Sequence, residues 1–353
     1  MKIVFVCDTL GPGGAERVIS SLSNEFSQRG HDVTIIMLSS LADTPFYPLE
    51  TKIQLAYLHD KNIKRMSPFS KLKLLRINII KEQPDIVISF LSYVCIYTWL
   101  ALRKTKIPFI VSERNDPNQR KFLKQLLLNL SFRKASGCVF QTYDALKWYG
   151  NKVSEKSLVI YNPVQLTYLP SDNFIRKKQI LYVGRLSEQK NVLMLIQSFK
   201  LFLEDHDDYI LKIIGSGPLK NKLLDEVNKK RLDKNVILCP NSKEWQRDEY
   251  NSSLFVLPSN FEGMPNVLAE ALCLGMPAVS TNCTIGGPKE LKRIFPNQLI
   301  LSKVGDPISF ADAMAKALSN ASNNIGVPDK LSINTICNKW ICFIENLVLN
   351  NNK

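Results

Sequence analysis

The stretch FVLPSNFEGMPNVLAEALCLGMPAVST, residues 255–281, carries the strongest local signal in the chain. It opens on a run that is apolar on both faces (Leu254–Leu257) and breaks at Pro258. After a polar loop it resumes as a helical pattern from about Pro265, then ends in a second apolar run at Ala278–Ser280. Runs buried on both faces suit parallel strands covered by helices, so the stretch reads as strand, loop, helix, strand. A glycine-containing loop entering a helix exposes backbone N–H groups at the helix N-terminus, which favours an anion such as phosphate. Gly263 lets the backbone approach that anion closely. Two carboxylates, Glu262 and Glu270, bracket the helix. Each can accept two hydrogen bonds from a vicinal diol, so one suits ribose hydroxyls and the other sugar hydroxyls.

Outward from this stretch the same alternation continues in both directions. Strands are expected at Ile3–Cys7, Val33–Met37, Asp85–Phe90, Pro108–Val111 and Cys138–Gln141. A second series follows at Ile180–Val183, Ile210–Ile214, Val236–Cys239, Leu254–Leu257 and Ala278–Ser280. Amphipathic helices lie between them, among them Ala15–Gln28, closed by Gly30. Repeated strand–helix alternation implies an α/β protein with parallel sheets. A break near Tyr161–Lys178 separates the two series, and each is long enough for its own core. The expected architecture is two doubly wound, Rossmann-like domains facing across a cleft. Residues 1–165 form the first, 175–330 the second, and 331–353 a C-terminal helix packing back across them. Ligands of such folds sit beyond the carboxyl ends of the strands.

Composition narrows the function. The 353 residues are 45% hydrophobic and 22% charged, with Pro and Gly scattered without period, which excludes disordered, collagenous and coiled-coil chains. The eight cysteines form no C-x-x-C pair and only three histidines are present. Free thiols are expected and no zinc site. MKIVFVCDTLGPGG, residues 1–14, reads as a first strand rather than a signal peptide. The 17 uncharged residues Ile86–Leu102 read as a buried strand and a core helix rather than a membrane span.

A formal charge of +14 calls for an anionic partner. The excess is concentrated in residues 61–134, where 16 lysines and arginines face 4 acidic residues. Two stretches, KRMSPFSKLKLLRINIIK (64–81) and NQRKFLKQLLLNLSFRK (118–134), place apolar residues at helical spacing beside basic ones. That is the pattern of a helix lying in an anionic membrane interface. Nucleic acid is not expected, for want of any nucleic-acid-binding module.

Two more loops carry chemistry. In YVGRLSEQKN (182–191), Arg185 and Lys190 lie between a strand and a helix, where a guanidinium and an ammonium can both reach a diphosphate. GPGGAERV (11–18) is a glycine-rich first turn, but matches neither G-x-G-x-x-G nor G-x-x-x-x-G-K-[ST].

Taken together, GGAERV, GRLSEQKN, IIGSGP (213–218), FEGMPNVLAE and IGGPKE (285–290) resemble glycosyltransferase family 4, retaining enzymes of the GT-B fold. The resemblance implies a nucleoside diphosphate sugar as donor and a role for each matching position. Arg185 and Lys190 would hold the donor diphosphate as it leaves, and Glu262 would contact the transferred sugar. Glu270 would bind the ribose. Gly263, Met264, Pro265, Asn266 and Val267 would lie against the phosphates, with Gly13 and Gly14 opposite them. It also implies that no metal or other cofactor is needed, positive side chains and helix N-termini taking its place. Many family members carry a histidine on the N-domain loop that here reads VSERNDPN (111–118). Glu113, Arg114 and Asn115 are the polar candidates there, with Glu16 beside the first turn, for contacts to sugar or acceptor.

SERNDP and GGPKE resemble N-acetylhexosamine transferases of surface-polysaccharide pathways. That implies a UDP-sugar donor and a lipid-linked glycan acceptor at the inner leaflet, with a cytoplasmic protein held peripherally through its basic helices. Two other readings compete with transfer: a nucleotide-sugar epimerase of the same architecture, and a non-enzymatic binder of anionic surfaces. The N-terminal half is poor in the acid–base groups an epimerase requires.

Overall fold

The computed structural model describes residues 1–39, 44–58, 66–114, 116–119, 122–170, 174–319 and 325–351. The chain divides into two units: Met1–Pro163 with Lys330–Lys353, and Val164–Asp329.

Unit 1 holds seven parallel strands: β1 (Lys2–Cys7), β2 (Asp32–Met37), β3 (Gln54–Tyr57), β4 (Ile86–Phe90), β5 (Phe109–Ser112), β6 (Gly137–Phe140) and β7 (Ser157–Val159). Their order across the sheet is β3-β2-β1-β4-β5-β6-β7. Its first six helices are α1 (Gly14–Gln28), α2 (Pro68–Glu82), α3 (Ser92–Leu102), α4 (Phe122–Lys134), α5 (Tyr143–Trp148) and α6 (Asn151–Ser154). The reason for parallel pairing is visible in β1 and β4, whose residues 3–7 and 86–90 are all buried, with helices covering both faces. Helix α1 turns Val18, Ile19, Leu22 and Phe26 to the core. It stops where Gly30 takes φ +83°: the Gly30 N–H then bonds the Ser27 carbonyl and the His31 N–H the Phe26 carbonyl, a Schellman ending.

Unit 2 repeats the plan with β8 (Lys177–Val183), β9 (Ile210–Ile214), β10 (Val236–Cys239), β11 (Ser252–Leu257), β12 (Ala278–Thr281) and β13 (Leu299–Ser302). These strands are ordered β10-β9-β8-β11-β12-β13, all parallel. Its helices are α7 (Val192–Phe202), α8 (Lys220–Lys229), α9 (Trp245–Glu249), α10 (Asn266–Cys273), α11 (Gly287–Ile294) and α12 (Pro307–Leu318). The last helix, α13 (Ile333–Asn351), belongs to unit 1, where buried Trp340 stacks on Phe90 with centroids 6.0 Å apart.

Each sheet changes direction once. The order reverses between β1 and β4 in unit 1, and between β8 and β11 in unit 2. Loops leaving the carboxyl ends of such a pair diverge to opposite faces and open a crevice between them. The loops after β1, β8 and β11 are the three glycine-bearing loops singled out from the sequence.

Three strands escape the sequence reading: β3, β7 and β13. Each lies at a sheet edge and is only partly buried; β3 and β7 show no two-sided apolar run, while β13 does in Leu299–Leu301 but is only four residues long. Helix α10 begins at Asn266, next to the expected Pro265, which stands at the N-cap in extended conformation (φ −77°, ψ 108°) rather than in the first turn. The uncharged 86–102 segment folds as β4 followed by α3. No helix among the described residues is long and apolar enough to cross a membrane.

Candidate active site

In unit 2 the site grows from β8 and β11. The chain leaves β8 through Gly184, Arg185 and Leu186, makes a single helical turn at Glu188–Lys190, and enters α7 at Asn191 in the left-handed region (φ +47°). It leaves β11 through Pro258–Pro265 into α10. These two loops are zipped together. The Asn260 N–H donates to the Gln189 carbonyl at 2.8 Å, and the Gln189 side-chain amide donates to the Phe261 carbonyl at 3.0 Å. Asn260 in turn donates to the Glu188 carbonyl and accepts from Asn191.

That zipper brings Lys190 Nζ to 2.5 Å from Glu262 Oε1, with the Ser259 hydroxyl donating to the same oxygen at 2.6 Å. The lysine side chain is 17% exposed and the glutamate 7%. An ammonium and a carboxylate this close and this far from solvent form a part-buried ion pair. Arg185 stands on the surface and pairs with no other side chain among the described residues, while its carbonyl accepts the Tyr182 hydroxyl at 3.0 Å. Burial, with Glu262 nearby, raises the Tyr182 phenol well above its ordinary range, so it acts as a neutral donor.

Close backbone packing fixes these loops. A Cβ on Gly215 would lie 2.0 Å from the Gly184 carbonyl oxygen, so the IIGSGP turn rests directly on the start of the GRLSEQKN loop. A Cβ on Gly287 would lie 1.5 Å from the Gly263 carbonyl oxygen, so the first turn of α11 rests on the FEGMP loop. Only hydrogen at these α-carbons permits such approaches. No side chain caps α10, whose first turn begins at Asn266 and Val267 behind buried Met264. An uncapped helix N-terminus at the end of the loop whose Glu262 pairs with Lys190 is suited to an anion.

Glu270 lies on α10 at 1% exposure. Its Oε2 accepts from Gln246 Nε2 at 3.0 Å, and Gln246 Oε1 accepts from the Thr167 N–H and hydroxyl at 2.7 and 3.0 Å. Gln246 had no signal in the sequence, because it sits within the unremarkable run WQRDE (245–249).

Unit 1 gathers a separate set at its own strand ends. In the loop after β1, the Glu16 carboxylate folds over Gly13, with Oε2 2.0 Å from where a Cβ would stand, while Gly14 opens α1. Asp8 accepts from Ser39 at 2.7 Å, and Tyr93 is hydrogen-bonded to Asp8. After β5, Glu113 accepts the Arg114 backbone N–H at 2.9 Å and the Tyr149 hydroxyl at 3.1 Å. The Arg114 guanidinium lies 4.3 Å from the centre of the Phe90 ring and donates through Nη1 to Asn162 Oδ1 at 2.6 Å. Its Nε and Nη2 are buried and meet no hydrogen-bond acceptor among the described residues. Burial pushes this guanidinium down to about 9. Asn115 lies outside the described residues.

The structure therefore joins Arg185, Lys190, Glu262, Gly263, Met264, Pro265, Asn266, Val267 and Glu270 on neighbouring elements of unit 2. Gly13, Gly14, Glu16, Glu113 and Arg114 belong to unit 1.

Comparison with known proteins agrees with this layout. Residues 12–168 match the model of Glycosyltransferase Family 4, and residues 170–332 that of Glycosyl transferases group 1. An uncharacterised glycosyltransferase of Haemophilus influenzae is 28% identical, over 81% of this chain and 82% of its own. An α-1,4-N-acetyl-D-galactosaminyltransferase of Campylobacter jejuni, named for a diphospho-undecaprenol-linked acceptor, is also 28% identical over 82% of each chain. Among solved structures, HepE of Anabaena in complex with UDP superposes with a TM-score of 0.78 at 17% identity, covering 98% of this chain and 100% of that one. With two parallel doubly wound sheets and both family matches spanning nearly its whole length, the chain belongs to the family 4 glycosyltransferases of the GT-B fold.

Proposed function

We propose that the chain is a retaining, metal-independent transferase. It moves an N-acetylhexosamine from a UDP-sugar to a lipid-linked oligosaccharide in bacterial surface-polysaccharide assembly, at the inner face of the plasma membrane. The observation that carries this reading is the part-buried Lys190–Glu262 pair, formed by the loop that also carries exposed Arg185 and the loop that leads into the uncapped start of α10. The Campylobacter relative supports the sugar and the lipid-linked acceptor. The UDP bound to the structurally similar HepE supports the nucleotide.

In this reading the diphosphate enters between Arg185, Lys190 and the first turn of α10, and Glu262 turns from the lysine to the hydroxyls of the sugar. Glu270 receives the ribose diol. The bond from the anomeric carbon to the β-phosphate oxygen breaks while the acceptor oxygen bonds to the same face of that carbon. The acceptor's proton passes to the departing phosphate oxygen. Charge that builds on the leaving group is met by fixed cations and helix amides, which need no reorganisation as the bond breaks.

Lys190→Ala and Glu262→Ala should each lower transfer by about 10²–10³-fold or more while leaving the circular dichroism spectrum native. Wild-type turnover in either variant would refute the roles given to that pair.

The membrane side of the proposal rests on α2 and α4. Phe69 on α2 and Phe122 on α4 are 84% and 85% exposed, with Leu123 and Ile80 also open to solvent among Lys71, Lys73, Lys81 and Lys124. Exposed aromatic and aliphatic side chains among lysines fit an anionic headgroup layer. Sedimentation with phosphatidylglycerol vesicles should fall at least about fivefold in the double variant Phe69→Ser, Phe122→Ser, each aromatic contributing roughly 1 kcal/mol or more of buried apolar surface. Unchanged sedimentation would remove the membrane from the reading.

A further inference from the structure

Gln246 is 2% exposed on α9, its amide oxygen accepting from Thr167 twice and its NH₂ group donating to Glu270. The Thr167 backbone N–H can only donate, so the amide oxygen of Gln246 must face Thr167, and its NH₂ group must then face Glu270. The distances agree: 2.7 and 3.0 Å from the Thr167 N and Oγ1 to Gln246 Oε1, and 3.0 Å from Gln246 Nε2 to Glu270 Oε2. The orientation of this amide is thus fixed by a backbone group. A glutamate of the same shape would keep both Thr167 bonds and set a second carboxylate against Glu270.

We propose that Gln246 is a positioning residue for nucleotide recognition. It holds one oxygen of Glu270, with Thr167 as its anchor, so that the carboxylate presents a fixed edge to the ribose hydroxyls of the donor. The proposal rests on the reading of Glu270 as the ribose-binding group. Nothing in the sequence around WQRDE announces it. Thr167 stands 79 residues from Gln246, and Gln246 stands 24 from Glu270, so only the fold assembles the relay. A carboxylate free to rotate would still accept hydrogen bonds from a diol, but would lose rotamer freedom on doing so, which weakens binding.

The test compares nucleotides with and without one ribose hydroxyl. Binding of UDP and 2′-deoxy-UDP is measured by calorimetry on the full chain, with the GDP and ADP pairs alongside so that the choice of base does not decide the result. Wild type should bind the ribo form about tenfold more tightly, the size expected for a hydrogen bond to a charged group. In Gln246→Ala and Gln246→Glu this gap should shrink below about threefold, with the ribo nucleotide falling toward the deoxy value. Loss of packing alone would weaken both nucleotides equally and leave the gap in place.

If the gap survives in both Gln246 variants but closes in Glu270→Ala, the ribose role of Glu270 stands and the positioning role of Gln246 is overturned. If the gap survives in Glu270→Ala, or wild type shows none, the ribose assignment itself fails and the proposal falls with it. Should Gln246→Ala not fold, the near-isosteric Gln246→Glu carries the comparison.

Discussion

Both units end their central strands in polar loops, yet they treat charge in opposite ways. In unit 2, Lys190 and Glu262 neutralise each other at 2.5 Å, a serine hydroxyl steadies the carboxylate, and the two loops that carry them are stitched by Asn260 and Gln189. In unit 1, Arg114 is buried against Phe90 and donates to Asn162, with no carboxylate on its guanidinium among the described residues, while Glu113 beside it accepts from Tyr149 and a backbone N–H. A part-buried ion pair leaves neither of its charges without a partner. A buried guanidinium without a counter-charge is a standing cost. Unit 2 thus holds its charges already paired, while unit 1 keeps two buried donors that meet no acceptor among the described residues.

The sharpest way to break this contrast is at the backbone of unit 2. A methyl group on Gly287 would lie 1.5 Å from the Gly263 carbonyl oxygen, and neither atom belongs to a flexible side chain. Either α11 or the FEGMP loop must move. Gly287→Ala should therefore cost about 2–4 kcal/mol, the range of severe overpacking, read as a lowered denaturation midpoint with an unchanged m-value. If the variant is as stable as wild type, the preassembly of unit 2 is softer than its close packing implies. The Gly215–Gly184 approach, at 2.0 Å, then becomes the independent check.

Much of this arrangement was legible in the linear chain, and the part that was not shares one cause. Central strands such as β1, β4 and β11 announce themselves because both faces are covered. Edge strands β3 and β7 do not, since exposed or half-buried residues interrupt them, and β13 offers only the short run Leu299–Leu301. Lys190 and Glu262 were readable as residue types in suitable loops, but their contact spans 72 positions and follows from β8 lying beside β11. Gln246 was invisible because its importance comes wholly from its partners. In the loop after β5, the Arg114 guanidinium reaches Asn162, 48 residues on, and two of its buried donors meet no acceptor among the described residues.

Arg114 also supplies the smaller and more discriminating test. Replacing it by methionine removes the charge and the two unmet donors and keeps an unbranched side chain of similar reach over Phe90; Gln141 still donates to Asn162 at 2.6 Å. Each unsatisfied buried donor costs about 1–3 kcal/mol, partly offset here by the aromatic face. Arg114→Met should therefore be as stable as wild type or up to about 2 kcal/mol more stable at pH 7, while transfer falls. The pH dependence gives the sign. Burial pushes the folded guanidinium down to about 9, well below the ordinary range that the unfolded chain keeps. Between the two, the unfolded chain binds the proton that the folded one has lost, so wild-type stability gains relative to the variant as pH rises. The advantage of Arg114→Met should accordingly shrink from pH 8 to pH 10. A variant less stable than wild type at pH 7, with no such convergence, would make Arg114 a structural strut, and the contrast between the two units would reduce to a difference in packing.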